Sequence, residues 1–289
     1  MLAAALPTAG ALAAGALAAG ALAASTLAPG SGHVALGRTT GAQPGTPPGR
    51  AQPSAGREVY ELRVYRLRAG PQVQRMQDYC RAALVPALRR QGTGPVGVFT
   101  LAVGPDAPSL YVLIPHASGE SVALLPERLA ADAEYRRAGA PVLDAPASDP
   151  PYERIESSLL RAFAGMPRLE VPAQTAAGKG RLFELRRYES HSERASQTKV
   201  DVFNRDEIAI FRRHGMAPVF FGQSLIGERQ PNLTYMLAFD DMRDRDARWS
   251  AFVSDPDFRA IVSKPEYSDA AIVSSISNVF LSPTPFSQL

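Results

Sequence analysis

The polar residues that could do chemistry in this chain come in two matching sets. Glu-Leu-Arg-x-Tyr occurs at positions 61–65 and again at 184–188. Each set provides a carboxylate, a guanidinium and a phenol, the kinds of group that hold an anionic or polar aromatic small molecule in a pocket. The candidate ligand-binding residues are therefore Arg186, Tyr188, Glu184, Arg63, Tyr65 and Glu61.

These two pentapeptides belong to a longer repeat. Their offset is 184 − 61 = 123 residues, and the same offset relates other segments without gaps. Arg-Arg-x-Gly at 89–92 recurs at 212–215, Pro-Val at 95–96 recurs at 218–219, and Asp-x-Glu-Tyr-Arg at 132–136 becomes Asp-x-Asp-Phe-Arg at 255–259. One constant offset at well-separated places indicates a tandem duplication.

Each copy predicts the same order of elements, β-α-β-β-α-β. The apolar runs, turn residues and helix-ending Gly residues place the elements near 60–67, 71–91, 95–103, 109–115, 121–138 and 152–161 in copy one, and near 183–188, 192–214, 218–226, 233–239, 242–262 and 271–281 in copy two. This order is that of a ferredoxin-like unit, whose sheet has one face bare of helices. We therefore predict an α+β fold in which two tandem ferredoxin-like (βαββαβ) units pair as an internal dimeric α/β barrel.

Side-chain alternation along the first strand of each copy separates two faces. Tyr60, Leu62 and Val64 point one way, whereas Glu61, Arg63 and Tyr65 point the other, and copy two repeats the pattern. We expect the apolar set to face the helices and the Glu/Arg/Tyr set to face the barrel interior. Two interpretations stay open there: the polar set contacts a ligand, or its ion pairs only join the two sheets, since a buried ion pair is no proof of a site.

The N-terminal segments differ in composition from the rest. Residues 1–24 are almost only Ala, Gly and Leu and are predicted to be a signal-like leader; 25–57 are Pro/Gly-rich and predicted to be a disordered linker. This favours an exported protein, periplasmic or secreted; the alternative is a cytoplasmic protein with a low-complexity tail. Ala and Gly provide too little transfer energy for a stable transmembrane span. The remaining predicted segments are repeat 1 (58–163), a linker (164–180) and repeat 2 (181–287).

Charge and cysteine content exclude several classes of function. The chain has 31 basic and 28 acidic residues without a basic block beyond residue 57, so no nucleic-acid partner is expected. A single cysteine excludes an intrachain disulfide and a cysteine metal cage, and the four histidines lack metal-ligand spacing. We expect no metal and no cofactor, and we expect the chain to close its barrel by itself as an internal pseudo-dimer.

Several motifs resemble the NIPSNAP family. They are Glu-Leu-Arg-x-Tyr, the stretch LTYMLAFDDMRDRDARWSAFVSDPDFRAI from Leu233, and FLSPTPFSQL near the end. The resemblance implies the dimeric α/β-barrel superfamily and a barrel-like cavity, but no particular reaction. Copy two is closer to the family pattern, with Trp249 where copy one has Pro126, so copy two is expected to be the more important for any ligand.

Three functions from different classes are compatible with these residues. The first is a protein that binds a small organic, possibly anionic, ligand inside the barrel. The second, by analogy within the superfamily, is a cofactor-light monooxygenase or isomerase. The third is a non-catalytic interaction protein.

Overall fold

The computed structural model describes residues 56–289, in which eight strands close into one antiparallel barrel. The strands are β1 (Val59–Arg66), β2 (Gly97–Val103), β3 (Ser109–His116), β4 (Arg154–Ala162), β5 (Leu182–Glu189), β6 (Ala217–Ile226), β7 (Asn232–Phe239) and β8 (Ser275–Pro283). The predicted leader and almost all of the predicted linker before residue 58 lie outside the described residues, and export stays a prediction.

Helices connect the strands and cover the outside of the barrel. They are α1 (Pro71–Tyr79), α2 (Val85–Arg90), α3 (Gly119–Ala123), α4 (Leu125–Ala131), α5 (Ala133–Leu143), α6 (Ala173–Ala176), α7 (Glu193–Val202), α8 (Ile208–Arg213), α9 (Met242–Ser254), α10 (Pro256–Val262) and α11 (Asp269–Ile272). A π-helical turn joins α1 to α2 at Cys80–Leu84, and another joins α7 to α8 at Phe203–Glu207. These turns are also 123 residues apart, so the duplication extends to an irregular detail of the backbone.

The predicted fold is confirmed. Both repeats follow the order β-α-β-β-α-β, and the strands are arranged around the barrel as β1-β3-β2-β8-β5-β7-β6-β4. The two repeats meet along antiparallel pairs β2–β8 and β4–β6. A single chain therefore closes the barrel that two ferredoxin-like units would otherwise form as separate subunits.

Three apolar cores fill this architecture. One lies inside the barrel and combines both repeats; there the rings of Phe99 and Phe183 are 4.8 Å apart and those of Tyr60 and Phe220 are 5.1 Å apart. The other two lie outside the barrel, each between one repeat's sheet and its helices. Both faces of β3 and β7 are consequently buried along their whole length.

The expected assignment of the two strand faces is wrong. Tyr60, Leu62 and Val64 belong to the core inside the barrel, whereas Tyr65 packs with the helices of repeat 1. Glu61 and Arg63 lie on the same side of β1 as Tyr65, and β5 shows the same arrangement. The physical reason is that the barrel interior is itself a packed apolar core, so the more apolar face of β1 and of β5 turns inward and the polar face lies under the helices.

Candidate functional site

In repeat 1, three side chains of β1 form a bonded row under the helices, here called the repeat 1 triad: Glu61, Arg63 and Tyr65. Arg63 Nε donates to Glu61 Oε1 at 2.9 Å, and Arg63 Nη1 donates to the Tyr65 hydroxyl at 3.2 Å. The Ser157 hydroxyl on the neighbouring strand β4 donates to Glu61 Oε1 at 3.0 Å. The alternation of β1 places the three groups on one face, and the strand pairing adds Ser157 opposite Arg63.

Glu61 is ionised despite its burial. Burial by itself raises the pKa of this carboxyl, but the neighbouring His116, Arg63 and Ser157 favour the charged form and lower the pKa to about 2. For Arg63, burial is likewise outweighed by Tyr65 and Glu61, so its pKa is raised above the usual value. The repeat 1 triad is therefore a stable ion pair with a phenol at one end.

His116 lies beneath this pair at the end of β3. Its Nε2 is 3.8 Å from Glu61 Oε2, too long for a direct hydrogen bond, and the residue is only 2% exposed. Within residues 56–289, neither ring nitrogen has a hydrogen-bond partner. Repeat 2 has Phe239 at the equivalent position (116 + 123), so the histidine is particular to repeat 1.

A cavity of about 700 Å³, here called the repeat 1 cavity, opens between this part of the sheet and the helices. Glu61 and Arg63 line it from the sheet, and Arg136 and Asp144 line it from the helix side. Tyr135 also lines it, with its hydroxyl 2.7 Å from that of Tyr79. The apolar wall comes from α4, α5 and the helix before them: Val122, Leu125, Pro126, Leu129, Ala130 and Leu143. Apolar walls with a few converging polar groups are the usual composition of a small-molecule site.

The equivalent row in repeat 2 (the repeat 2 triad: Glu184, Arg186 and Tyr188) is bonded to protein groups instead. Glu184 is fully buried, and its Oε1 accepts from Arg186 at 2.6 Å, Arg245 at 2.9 Å and Asn278 at 2.8 Å. Its Oε2 accepts from Arg245 at 3.0 Å and from the indole of Trp249 at 2.8 Å. Burial raises the pKa of Glu184, but Arg245 and Arg186 outweigh burial and lower it.

The two repeats differ because of the helix that covers each triad. In repeat 2, α9 is continuous and places Trp249 over Arg186, with the guanidinium carbon 4.5 Å from the ring centre. Subtracting 123 from Arg245 and Trp249 gives Val122 and Pro126. Pro126 is the second residue of a separate helix, α4, which starts after α3 has ended. Neither Val122 nor Pro126 has a polar side-chain group that could bond to the triad. The space that two large side chains fill in repeat 2 is therefore open in repeat 1.

All six predicted site residues lie in these two rows, but on the helix side of the sheet. The closer match of copy two to the family favoured repeat 2 for a ligand, whereas the cavity at a triad lies in repeat 1. Whether any of the six contacts a ligand stays a prediction. The contacts of Glu184, Arg186 and Tyr188 with the protein favour a structural role, but one that holds the sheet to the helices and does not join the two sheets as expected.

Sequence reasoning did not identify Arg245, Asn278, Ser157 or His116 as members of these networks. The sequence shows that repeat 1 has Pro126 where repeat 2 has Trp249. That this difference opens a cavity follows only once the triads are known to face the helices. Arg245 precedes Trp249 by four residues, which places both on one face of a helix, and this spacing was the signal available.

Residues 56–289 contain neither a candidate metal-binding cluster nor a candidate membrane-spanning helix. No group of three or more His, Cys, Asp or Glu side chains there could hold a metal ion. None of the helices in that part of the chain combines the length and apolarity needed to cross a membrane.

Comparison with solved structures shows the same fold in two bacterial proteins. A candidate monooxygenase from Lactobacillus acidophilus matches with a TM-score of 0.53 and 7% identity, covering 78% of this chain and 93% of that one. A candidate monooxygenase from Fusobacterium nucleatum matches with a TM-score of 0.50 and 7% identity, covering 79% and 93%. At such identities the likeness concerns the fold alone.

Sequence comparison places both repeats in one family. No curated protein sequence matches the chain. A NIPSNAP-like domain protein of known structure from Burkholderia xenovorans is 21% identical over 37% of this chain and 88% of that one, with a TM-score of 0.34. The family model described as NIPSNAP matches residues 60–160 and 183–288, which is more than half of the chain and one match for each repeat. The chain belongs to the NIPSNAP family, of which it carries two tandem copies.

Proposed function

We propose that this protein binds a small organic molecule in the repeat 1 cavity. The observation that carries the proposal is the difference between the repeats. The Glu-Arg pair of the row borders about 700 Å³ of open space in repeat 1, whereas Trp249 and Arg245 cover that pair in repeat 2. A volume of that size lies within the usual range for ligand pockets, roughly 300–1,000 Å³.

The wall of the cavity indicates the chemistry of the ligand. Arg63 donates two of the five N–H groups of its guanidinium, one to Glu61 and one to Tyr65, which leaves three for a ligand. Leu125, Leu129 and the other apolar side chains face them from the helices. The best fit is a molecule with an apolar body and a carboxylate, phenolate or carbonyl oxygen directed at Arg63.

Native mass spectrometry of the full-length protein, before and after denaturation, tests the proposal. A matched variant carries Val122→Arg and Pro126→Trp, which places the side chains of repeat 2 in repeat 1. We expect the wild-type protein to release a stoichiometric small molecule on unfolding, and the variant to fold and release none. An equal yield from both proteins would place the ligand elsewhere, and an empty wild-type protein would favour a non-catalytic interaction protein.

A second candidate function is a cofactor-light isomerase or monooxygenase that uses the same cavity. His116 is the observation in its favour, because a buried imidazole 3.8 Å from the Glu61 carboxylate beneath a cavity is an arrangement that can move a proton. The matched variant is His116→Phe, since repeat 2 has Phe239 there. If the protein is an enzyme of this kind, the variant should keep the bound molecule and lose its turnover; unchanged turnover would exclude this role for His116.

A further inference from the structure

A second cavity lies at one mouth of the barrel, between the two repeats, and has a volume of about 300 Å³. It is distinct from the repeat 1 cavity, because its walls are residues of β1, β3, β4, β5, β7 and β8 at the inner end of the barrel and the hairpin turns at that end. We infer that this mouth cavity binds a small organic acid, whose carboxylate pairs with Arg187 and whose apolar part lies against the inner strands.

Arg187 lies on β5, on the inward side that it shares with Leu185. Val64 occupies the equivalent position of repeat 1 (187 − 123), so the fold does not need a charged residue there. The Arg187 side chain is partly buried and lines the cavity. Among the residues that the structure describes, its guanidinium takes part in no side-chain hydrogen bond and in no ion pair.

Two of the acidic residues at this mouth, Glu156 and Asp106, already pair with Arg66. Arg66 Nη2 lies 2.7 Å from Glu156 Oε2, and its Nε donates to the same oxygen at 3.0 Å. Arg66 Nη1 also lies 3.4 Å from Asp106. Glu156 and Asp106 therefore have a partner, and Arg66 has little capacity left for a ligand.

The groups nearer to Arg187 leave its charge incompletely balanced. Arg229 lies at the same mouth and pairs with Glu189 at 3.4 Å. Burial, followed by the neighbouring Arg229, lowers the pKa of Arg187, while Glu189 and Glu228 act in the opposite direction. A bound carboxylate would supply a direct partner that this cation lacks in the described chain.

The remaining wall suits an apolar group. Leu62, Val64 and Leu185 contribute aliphatic surface, and Tyr111 and Val279 lie alongside them. Further into the barrel the core is closed, with Phe99, Phe183 and their neighbours in contact. The mouth cavity thus admits a molecule from one end only, with the apolar part inward and its charged group beside Arg187.

Calorimetric titration of the full-length protein with benzoate, phenylacetate and hexanoate tests the inference, with phenylacetamide as the neutral counterpart. We expect at least one acid to bind saturably, and the amide to bind at least about tenfold more weakly than phenylacetate, as expected for a charged hydrogen bond. Arg187→Val, which copies repeat 1, should weaken binding of the acid by a similar factor without lowering the melting temperature. Glu228→Gln should strengthen binding, because it removes a carboxylate that lines the cavity and competes with the ligand for Arg187.

Three results would overturn the inference. The first is the absence of saturable binding of all three acids at millimolar concentration. The second is equal affinity of Arg187→Val and wild type for phenylacetate, or equal affinity of the acid and the amide. The third is loss of phenylacetate binding in the Val122→Arg, Pro126→Trp variant, because that result would place the acid in the repeat 1 cavity.

Discussion

Replacing Glu184 by glutamine tests whether the repeat 2 triad joins the sheet to its helices. Glu184 is fully buried and accepts five hydrogen bonds, from Arg186, Asn278 and Trp249 once each and from Arg245 twice. Glutamine keeps the size of the side chain but removes the charge, and it replaces one acceptor oxygen by an NH₂ group that faces donors.

The magnitude follows from the burial of the two arginines. The side chains of Arg186 and Arg245 are 13% and 20% exposed, so neither can be fully hydrated when its carboxylate is lost. Breaking a buried pair in this way costs about 3–5 kcal/mol of unfolding free energy. The matched change, Glu61→Gln, should cost about 1–3 kcal/mol, because Arg63 borders a cavity in which water can take the place of the lost partner.

Urea unfolding of the full-length proteins at neutral pH, followed by circular dichroism, measures both free energies. We expect Glu184→Gln to be less stable than Glu61→Gln by about 2 kcal/mol. If Glu61→Gln is as destabilising as Glu184→Gln, the two triads have the same structural role, and the repeat 1 triad is then not available to bind a ligand.

Three further predictions use the same comparison between repeats. Because the pKa of Glu61 falls from 4.5 in the unfolded chain to about 2 in the folded protein, its carboxylate stabilises the fold above pH 4.5, and this stability is lost as the pH falls towards 2. Between pH 5 and pH 3 the unfolding free energy of the wild type, measured with urea, should therefore fall by about 2 kcal/mol more than that of Glu61→Gln. Trp249→Ala should cost about 3 kcal/mol and open a cavity in repeat 2, visible in a crystal structure. Lys199→Met should cost about 3 kcal/mol by leaving Glu207 buried without its partner at 3.0 Å, whereas adding Glu207→Leu should restore most of that loss in the same urea assay, since repeat 1 has an apolar pair there.

The order of elements could be predicted from the sequence because the duplication provided two independent copies of every signal. Arg-Arg-x-Gly marked the same helix end twice, at 89–92 and 212–215, and α2 and α8 end at Arg90 and Arg213. The π-helical turns were not predictable, because their residues continue an ordinary helical pattern. Both lie between helical segments whose hydrophobic periodicity is that of an α-helix.

The orientation of the triads could not be predicted, because alternation separates two faces without saying where each one points. In an open sheet with one solvent-exposed face, the apolar set would cover the helix side. Here Phe183 and Leu185 pack inside a closed barrel, and Glu184 is buried beneath α9. The polarity of the side chains does not say which face packs against the other strands inside the barrel and which packs against a helix that carries Arg245 and Trp249.

The family resemblance pointed to repeat 2 for a related reason. The residues that make copy two typical, above all Trp249, are those that complete its buried network, so they report how that repeat is packed. Divergence of copy one replaced these side chains by Val122 and Pro126, and in doing so it exposed Arg63 and Glu61 to a cavity.

The asymmetry of the barrel has a physical basis in its duplication. Two separate identical subunits would change together, so a substitution that opened one cavity would open both and remove both networks around the glutamate. In a single chain, repeat 2 can keep five hydrogen bonds on Glu184 while repeat 1 gives up the two covering side chains. The strand pairs β2–β8 and β4–β6 hold the repeats in one barrel, so the stability of repeat 2 offsets the cost of the open cavity in repeat 1. The fold thus tolerates the repeat 1 cavity because Arg245 and Trp249 fill the equivalent space in repeat 2.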